Sequence, residues 1–372
     1  MATTVKAKSK NKSVITEKAY QFLKNYINNP SPTGFESSGQ KLWLNYLKPY
    51  TDSQFTDPYG TAVGVINPSS PFKVVIEAHA DEISWFVNYV SADGLIYLKR
   101  NGGVDHQIAP AKRVLIHGKK GPVKAVFGWP AIHTRMGNAD TKEPQPRVDN
   151  LFLDCGARNK KEVEALGIQV GAVATYEEGF DELAHDYLIG RAFDNRIGGF
   201  MIAEVARLLS ENKKKLSYGL YIVNAVQEEI GLRGAEMIAR RIKPDVAIIT
   251  DVTHDTTTPM VNKIIEGDVA CGKGPSLAFG PAVHNSLLTI VQETAAKHKI
   301  PVQLRAVSRS TGTDTESFAY ANDGCPSVLI SIPLRYMHTT VEMLHKKDIE
   351  ETIRLMYETL LVLTPKTKLS YF

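Results

Sequence analysis

Apolar residues recur at two different spacings along the chain, and the spacing changes near residues 86 and 187. From Ile15 to Tyr50 they recur at helical spacing on both sides of Pro30-Ser31-Pro32, which predicts two amphipathic helices separated by the prolines. The runs TAVGVI and KVVIEAHAD follow and predict strands, the second of them almost wholly apolar as far as His79.

The middle of the chain has a different pattern of apolar and turn-forming residues. From about Phe86 to about Tyr187, short β-rich runs such as LIYLKR, RVLIHG, VKAVFGW and AVATYE alternate with glycine and proline turns. This pattern predicts a small, barrel-like β domain over residues 86–187, inserted into a larger domain.

Helical and strand patterns alternate from residue 188 to the end. GGFMIAEVARLLSEN, GAEMIARRI, HNSLLTIVQETAAKHK and KKDIEETIRLMYETLLVL predict helices, whereas LSYGLYIVNAVQ, DVAIIT and SVLISI predict strands. Together with residues 1–85, this alternation predicts an α/β domain with a mixed central sheet flanked by helices.

Composition and charge narrow the protein class. The chain has 372 residues and a net charge of only +4, and part of its positive charge lies in VKAKSKNKS, which lacks the apolar core of a signal peptide. We expect residues 1–13 to be a frayed tail and give a nucleic-acid-binding arm the lower weight. No apolar run approaches the roughly 18 residues of a membrane span, and the cysteines Cys155, Cys271 and Cys325 form no zinc or disulfide pattern. These features predict a cytoplasmic protein without nucleic-acid or membrane partners.

Acids and histidines follow the predicted buried strands. Ligands bind outside the carboxyl ends of the strands in open α/β sheets, so these side chains are expected at one rim. The candidates at or near such strand ends are His79, Asp81, Asp194, Glu228, Glu229, Asp251 and His338.

Each candidate also has an ordinary structural explanation. Asp194 could cap the helix that follows it, Asp251 could be a turn residue, and His338 could be a hydrogen-bonded core histidine. The two adjacent glutamates would normally be solvated in a loop. The functional interpretation therefore rests on the coincidence of so many potential ligands after apolar strands.

The ligand types indicate a metal site. Imidazole and carboxylate groups without cysteine suit catalytic zinc, or cobalt or manganese. Several clustered carboxylates need compensating positive charge, which two divalent ions about 3.5–4 Å apart would supply. A carboxylate that is not a ligand must then accept the proton of the bound water.

The adjacent glutamates fit that division of roles under one condition. Neighbouring residues in a strand point to opposite faces, so Glu228 and Glu229 can share a site only if the chain begins to turn at Gln227. Gly231 soon afterwards permits such a turn.

With these residues assembled, the sequence resembles the glutamyl-aminopeptidase and TET-type family of dinuclear metallo-aminopeptidases. The matching segments run in the family's order from about Ile15 to about Thr364: EAHADEISWFV, GGVDHQIAPAKRV, GRAFDNRIGG, VQEEIGLRGA, TDVTH, GKGPSLAFGP, STGTDTESF and LRYMHTTVEML. The chain departs from the family at Ala80 and Ser84, and its PAIHTRMGNADTKEP stretch is longer and more polar than expected.

The resemblance implies a role for each matching position. His79 and Asp251 would be terminal ligands, one on each of two metal ions, and Asp194 would bridge the ions. Glu229 and His338 would complete the two coordination spheres. Glu228 would be the general acid/base, and Asp81 would hold the His79 ring in its ligating tautomer.

The resemblance also implies an activity and an assembly. We expect a cytoplasmic aminopeptidase with a zinc-peptidase-like fold and two divalent ions per subunit, zinc first and cobalt or manganese as alternatives. It would remove N-terminal residues from short peptides by attack of a metal-bridging hydroxide. The β insert would mediate dimer contacts within a homo-oligomer, a dodecamer built from dimers. The insert histidines His106, His117 and His133 could reach a neighbouring subunit's site, although we favour ordinary surface positions.

Two other classes stay open at this point. A glycoside hydrolase also uses two carboxylates, and relatives of this family have been labelled glucanases, but its mechanism requires neither histidine ligands nor adjacent acids. A non-catalytic scaffold on the same fold would be indicated by missing ligands, and the expected ligands are all present.

Overall fold

The computed structural model describes residues 13–135 and 144–372. The predicted tail up to residue 12 and the polar insert stretch 136–143 lie outside the described residues. The helices are α1 (Glu17–Asn28), α2 (Ser37–Leu47), α3 (Ile132–Arg135), α4 (Lys160–Ala165), α5 (Phe193–Glu211), α6 (Arg233–Ile242), α7 (Lys263–Glu266), α8 (Asn285–His298), α9 (Thr315–Ala319) and α10 (Lys346–Val362). The strands are β1 (Ser53–Thr56), β2 (Ala62–Ile66), β3 (Lys73–His79), β4 (Ser84–Val90), β5 (Ile96–Asn101), β6 (Arg113–Gly118), β7 (Gly121–Phe127), β8 (Phe152–Asp154), β9 (Val173–Tyr176), β10 (Asp181–Glu182), β11 (Tyr187–Gly190), β12 (Gly219–Ala225), β13 (Val246–His254), β14 (Ser276–Phe279), β15 (Gln303–Ala306), β16 (Ser327–Leu334) and β17 (Glu342–His345).

The central sheet is mixed, and its middle is parallel. Its eight strands lie in the order β1-β2-β12-β3-β13-β16-β14-β15. The four neighbouring strands β12, β3, β13 and β16 are mutually parallel, and their carboxyl ends therefore lie at one edge of the sheet. Burial on both faces explains why these strands are nearly continuous apolar runs.

Helices cover the sheet in two groups. The helices α1, α2 and α10 pack against α5, which lies directly on β3, and α8 packs against α10. The helices α6 and α9 pack against each other and against the central strands. Almost every residue of α5 is buried, including the polar Asn195 and Glu204, so this helix belongs to the core. The predicted α/β class with flanking helices is confirmed.

The β-rich insert folds as a closed barrel with its own core. Its strands lie in the order β4-β5-β8-β7-β6-β9, and Trp85, Phe127 and Tyr176 pack together inside it. Closure leaves no unpaired strand edge, which suits a short, turn-rich insert. The barrel-like architecture predicted for this part of the chain is confirmed.

The exact limits of the insert stay a prediction. The barrel strands run from Ser84 to Tyr176, whereas β10 and β11 form a separate three-stranded sheet with β17. Residues 181–190 thus pair with a strand from the end of the chain. None of the helices in the described ranges is long and apolar enough to span a membrane.

Candidate metal centre

Four parallel strand ends deliver the candidate residues to one place. His79 is the last residue of β3, Glu228 and Glu229 follow β12, and His338 follows β16. Asp251 lies inside β13 instead of after it, because that strand continues to His254. The expected rim of polar side chains is therefore present at the carboxyl edge of the sheet.

Asp194 lies between the two histidines. Its Oδ1 is 3.2 Å from His79 Nε2, and its Oδ2 is 3.2 Å from His338 Nε2. The two oxygens of one carboxylate thus face two different imidazoles. A bridging carboxylate needs this arrangement, since each oxygen must reach a different ion.

The ligand atoms form three triads, two of which share Asp194, while the third joins His79 to Glu228 and Glu229. Atoms of His79, Asp194 and Asp251 lie within 4.8 Å of one another, as do atoms of Asp194, Glu229 and His338. The sequence-based expectation placed His79 and Asp251 on different ions. The structure instead groups them in one triad, with Glu229 and His338 together in the other.

The two adjacent glutamates diverge because the chain turns. Gln227 adopts a left-handed conformation with φ of 58°, and Glu228 to Ile230 form a single 3-10 turn. Glu229 Oε2 lies 3.3 Å from His338 Nε2, whereas Glu228 Oε2 lies 3.8 Å from His79 Nε2. The predicted turn at Gln227 is confirmed, and it gives the two carboxylates different histidine neighbours.

The electrostatics of the cluster favour a bound cation. Burial raises the pKa of Glu228 to about 10, with Asp314, Asp251 and Glu229 adding to the effect and His79 opposing it. Burial likewise raises the pKa of Asp251 to about 7. Without added positive charge these carboxyls would hold protons near neutrality, so divalent cations fit a donor set of nitrogen and oxygen.

Asp81 supports the site from behind. Its Oδ1 lies 3.4 Å from His79 Nδ1, the ring nitrogen opposite the cluster. The same carboxylate accepts the backbone N–H groups of Glu228 at 3.0 Å and Glu229 at 3.2 Å, and the hydroxyl of Thr33. Asp81 is therefore placed to orient both the imidazole and the glutamate turn.

Glu342 is a second supporting carboxylate, which the sequence analysis missed. Its Oε2 accepts the backbone N–H of Asp194 at 3.1 Å, and its Oε1 accepts that of His338 at 2.9 Å. Burial and the nearby Asp194 raise its pKa well above the usual range. Its position four residues after His338 was the available signal in the sequence.

A loop of the barrel forms part of the site wall. A Cβ built on Gly103 would lie 2.7 Å from His338 Nδ1, and one on Gly102 would lie 3.2 Å from the Glu229 Cβ. Only glycine allows this close approach. The loop between β5 and β6 therefore packs directly against the triad that contains His338.

The site lies in a cavity of about 480 Å³. Besides the cluster, its wall includes Leu232, Arg305, Thr313 and Met337. This volume is in the range of small-molecule sites, and the cavity has room for a short extended ligand.

The structure does not support the ordinary explanation of Asp194 as a helix cap. Asn195, not Asp194, accepts a helix N–H at the start of α5, from Gly198 at 3.1 Å.

The histidines of the insert lie away from the cluster in this chain. His106 contacts Arg100, His117 lies 2.9 Å from the Thr175 hydroxyl, and His133 is exposed. A contribution of these histidines to a neighbouring subunit's site stays a prediction.

Comparisons with known proteins find relatives of this chain in sequence and in structure. The family model of M42 glutamyl aminopeptidases matches residues 60–355. The chain is 32% identical to the lysyl aminopeptidase of Pyrococcus furiosus over 349 residues, which are 93% of this chain and 98% of the relative. A TET aminopeptidase from a marine sediment Thaumarchaeota archaeon has a similar structure, with a TM-score of 0.89, 29% identity and coverage of 94% and 98%. The Pyrococcus horikoshii TET1 peptidase shares the fold, with a TM-score of 0.81, 24% identity and coverage of 93% and 100%.

Proposed function

The chain belongs to the M42 glutamyl aminopeptidase family and is a metal-dependent aminopeptidase, and we propose that it removes N-terminal residues from short peptides at a two-metal site. The observation that carries the two-metal proposal is the position of Asp194. Its two oxygens each lie 3.2 Å from a different histidine, as a ligand shared by two ions requires.

Each side chain then has a proposed role. One ion would be held by His79, Asp194 and Asp251, and the other by Asp194, Glu229 and His338. When bound, such ions polarise a carbonyl and lower the pKa of a nearby water. Two carboxylates would support these ligands without binding an ion, Asp81 behind His79 and Glu342 behind Asp194 and His338.

Glu228 is the proposed proton carrier. Its carboxylate faces the cavity next to His79, and it is the glutamate of the pair that the triad around His338 does not use. It would accept a proton from the attacking water and deliver it to the leaving amine. Glu229 would stay ionised because a cation neutralises it.

The identity of the metal and the cellular location are also part of the proposal. The nitrogen and oxygen donors suit zinc, and they also suit cobalt and manganese. We keep zinc as the first candidate. The cytoplasmic location predicted from the sequence stays a prediction.

The alternatives receive less support. The two carboxyls of a glycoside hydrolase flank a sugar at about 5–9.5 Å. Here ligand atoms of Glu228 and Glu229 lie within 4.8 Å of each other and of His79. A non-catalytic scaffold would have no need for such a convergent set of ligands in an open cavity.

We also propose a homo-oligomer, with the dodecamer as the expected size. The Pyrococcus horikoshii TET1 peptidase is described as assembling into a tetrahedron or a large octahedral shell. In the present chain Met260 and Ile264 are almost fully exposed and Ile265 is about three-quarters exposed, and such clustered apolar side chains mark contact surfaces. Light scattering after size-exclusion chromatography would contradict the proposal if the chain were monomeric at micromolar concentration.

A metal and substrate panel tests the function itself. The purified protein should hydrolyse aminoacyl-p-nitroanilides, lose the activity in a chelator and regain it with zinc, cobalt or manganese. An N-acetylated aminoacyl-nitroanilide is the matched control, because it lacks the free amino terminus. Chelator-resistant hydrolysis of a β-glucan would instead favour the glycoside hydrolase.

Replacing the proton carrier tests its separate role. Glu228→Gln should lower kcat by about 10²–10⁴-fold, the usual contribution of a general acid/base, because the amide cannot accept the proton. Metal content, measured by plasma mass spectrometry, should remain that of the wild type. A normal rate with normal metal content would rule out this role for Glu228.

A further inference from the structure

His338 lies on a loop that is closed at its base by one pair of residues. Arg335 and Met343 exchange both backbone hydrogen bonds, at 2.8 and 3.1 Å, and form an isolated antiparallel bridge. Residues 336–342 between them, here called the His338 loop, carry the proposed ligand His338 and its supporting carboxylate Glu342. The orientation of Arg335 and Met343 therefore determines where the ligand lies.

The His338 loop needs anchors outside itself. Tyr336 and His338 both adopt the left-handed conformation with φ of 61°, which is unfavourable for residues other than glycine. Tyr336 and Val341 are 47% and 41% exposed, so part of the apolar surface of the loop is not packed against the core. Unfavourable backbone conformations persist only where the surrounding contacts over-determine them.

The side chain of Arg335 anchors the base of the loop. Its Nε donates a hydrogen bond to Asp255 Oδ2 at 2.9 Å, and its Nη2 donates one to the Thr257 hydroxyl at 3.0 Å. The guanidinium also lies over the ring of Tyr187, 5.1 Å from its centroid. A planar guanidinium can make these three contacts at once, whereas a lysine ammonium has neither the fork nor the flat face.

Asp255 is a firmly held partner for Arg335. Its carboxylate is fully buried and accepts the backbone N–H groups of Thr257 at 2.7 Å and Cys271 at 2.9 Å. Burial alone would raise the pKa of Asp255, but hydrogen bonds from Thr257 and Cys271 lower it to about 2. The carboxylate therefore offers Arg335 a constant negative charge.

The segment GKGPSLAFGP ties this anchor to the core. Cys271, which binds Asp255, directly precedes the segment, and Gly272 and Gly274 donate their N–H groups to the carboxylate of Asp348 at 2.6 and 2.7 Å. Asp348 lies in the first turn of α10, most of which is buried. The segment thus acts in support of the ion pair and away from the proposed chemistry.

The ion pair links the two triads that share Asp194. Asp255 directly follows β13, which carries Asp251 of the buried triad, and Arg335 directly follows β16, which leads to His338. The two strands are paired as far as His254 and Leu334, so Asp255 and Arg335 occupy the next positions. The pair therefore fastens the His338 loop to the strand that holds the buried triad.

We propose that Arg335 is a positioning residue, which fixes the base of the His338 loop through its ion pair with Asp255 and thereby sets the affinity of the Asp194, Glu229 and His338 triad for its ion. This inference rests on the proposed two-metal site. The side-chain hydrogen bonds of Arg335 go to Asp255, Thr257 and Met343, so a substitution of Arg335 leaves every proposed ligand in place.

Zinc titration of the metal-free protein tests the role of Arg335. We expect two binding steps in the wild type. Arg335→Met should weaken one step about 10–100-fold, as is usual when the support behind a metal ligand is lost, and leave the other unchanged. Arg335→Lys should keep part of the affinity, because it restores the charge opposite Asp255. Aminopeptidase activity of Arg335→Met should fall at limiting zinc and largely return at high zinc, because Arg335 contacts no reacting group.

Arg207 provides the matched control. It pairs with Glu204 on α5 at 2.8 Å, and the carboxylates of Glu204 and Asp255 are both buried. Arg207→Met and Arg335→Met should both lower the melting temperature of the metal-free protein, because each leaves a buried carboxylate without its arginine. Only Arg335→Met should change a zinc affinity. Circular dichroism measures the melting.

A double substitution keeps the test available if Arg335→Met does not fold. Asp255→Asn combined with Arg335→Met removes the buried charge that would otherwise be unpaired. The double variant should weaken the same zinc-binding step about 10–100-fold, since the loop has still lost its anchor.

Three results would overturn the inference. The first is unchanged affinity in both zinc-binding steps of Arg335→Met, which would leave Arg335 with a role in stability alone. The second is an equal loss of zinc affinity in Arg207→Met and Arg335→Met. The third is a rate of Arg335→Met that stays low at saturating zinc, which would give Arg335 a direct part in the reaction. A wild type that binds only one zinc ion per chain would refute the proposed two-metal site, and the inference with it.

Discussion

The two triads that share Asp194 are built differently. The triad of His79, Asp194 and Asp251 is fully buried, and its two outer members come from the neighbouring strands β3 and β13. The other, open triad has a partly exposed His338 and a buried Glu229 side chain, and both residues lie on turns beyond the ends of β12 and β16. The buried triad is therefore positioned mainly by the middle strands of the sheet. The other triad is positioned by the turns that follow the strands.

The supports of the two triads differ in the same way. Asp81, two residues beyond His79, is fully buried and contacts that ring. The segment around His338 adopts a left-handed conformation at Tyr336 and at His338 itself, and it depends on Glu342 and on the barrel loop at Gly103. The proposed first metal position would therefore be built from the sheet and the start of α5, whereas the proposed second position would also depend on the barrel loop.

The largest expected effect comes from removing what the triads share. Asp194→Ala should lose both ions and lower kcat/KM at least about a thousandfold, since metal assistance supplies several kcal/mol of transition-state stabilisation. Metal analysis after dialysis is the measurement. A variant that kept two ions per chain would show that Asp194 is not the bridge.

The next largest effect should be a difference in metal content between variants that each remove one histidine. His338→Ala should leave the buried triad intact and retain about one ion per chain after dialysis. His79→Ala should retain less, because only the open triad remains. The same metal content in both variants, or the reverse order, would contradict the proposed difference between the sheet-built and loop-built positions.

The smallest expected effect concerns the barrel loop. Gly103→Ala places a Cβ 2.7 Å from His338 Nδ1, closer than real contacts, so the ring must move. We expect the metal affinity of the triad that contains His338 to fall about 10–100-fold, as for other changes that disturb ligand orientation. The metal affinity of the buried triad should not change. Titration with metal ions, followed by calorimetry, measures the affinity of each triad for its ion.

A double substitution provides the control for the loop. In the His338→Ala background, Gly103→Ala should cause no further loss of metal affinity, because the contact partner is already absent. An equal loss in both backgrounds would mean that the loop acts through barrel stability instead.

The sequence predicted the architecture well where pattern and topology coincide. The apolar runs of β3, β12, β13 and β16 identified the central strands, and the acids after them identified the rim. The turn at Gln227 was deduced from the impossibility of two adjacent strand residues sharing a site. The assignment of roles to single residues came mainly from the resemblance.

Contacts between distant segments were beyond sequence reasoning. Nothing local to Glu342 shows that its carboxylate reaches the N–H of Asp194, 148 residues earlier. Arg305 is an ordinary strand residue in the sequence, and only the cavity shows its position. The expectation that His79 and Asp251 belong to different ions disagrees with the geometry, because the pairing of β3 with β13 is a long-range contact that the local sequence does not show.

The position of Asp194 between two histidines also bears on the unfolding of the chain. His79 lies 115 residues before it, and His338 lies in the last tenth of the chain. Ions held jointly at this point would close two very long loops, acting as a reversible cross-link between the beginning, middle and end of the polypeptide. Since the unfolded chain has no such assembled site, resistance to heat and protease would then follow the free metal concentration.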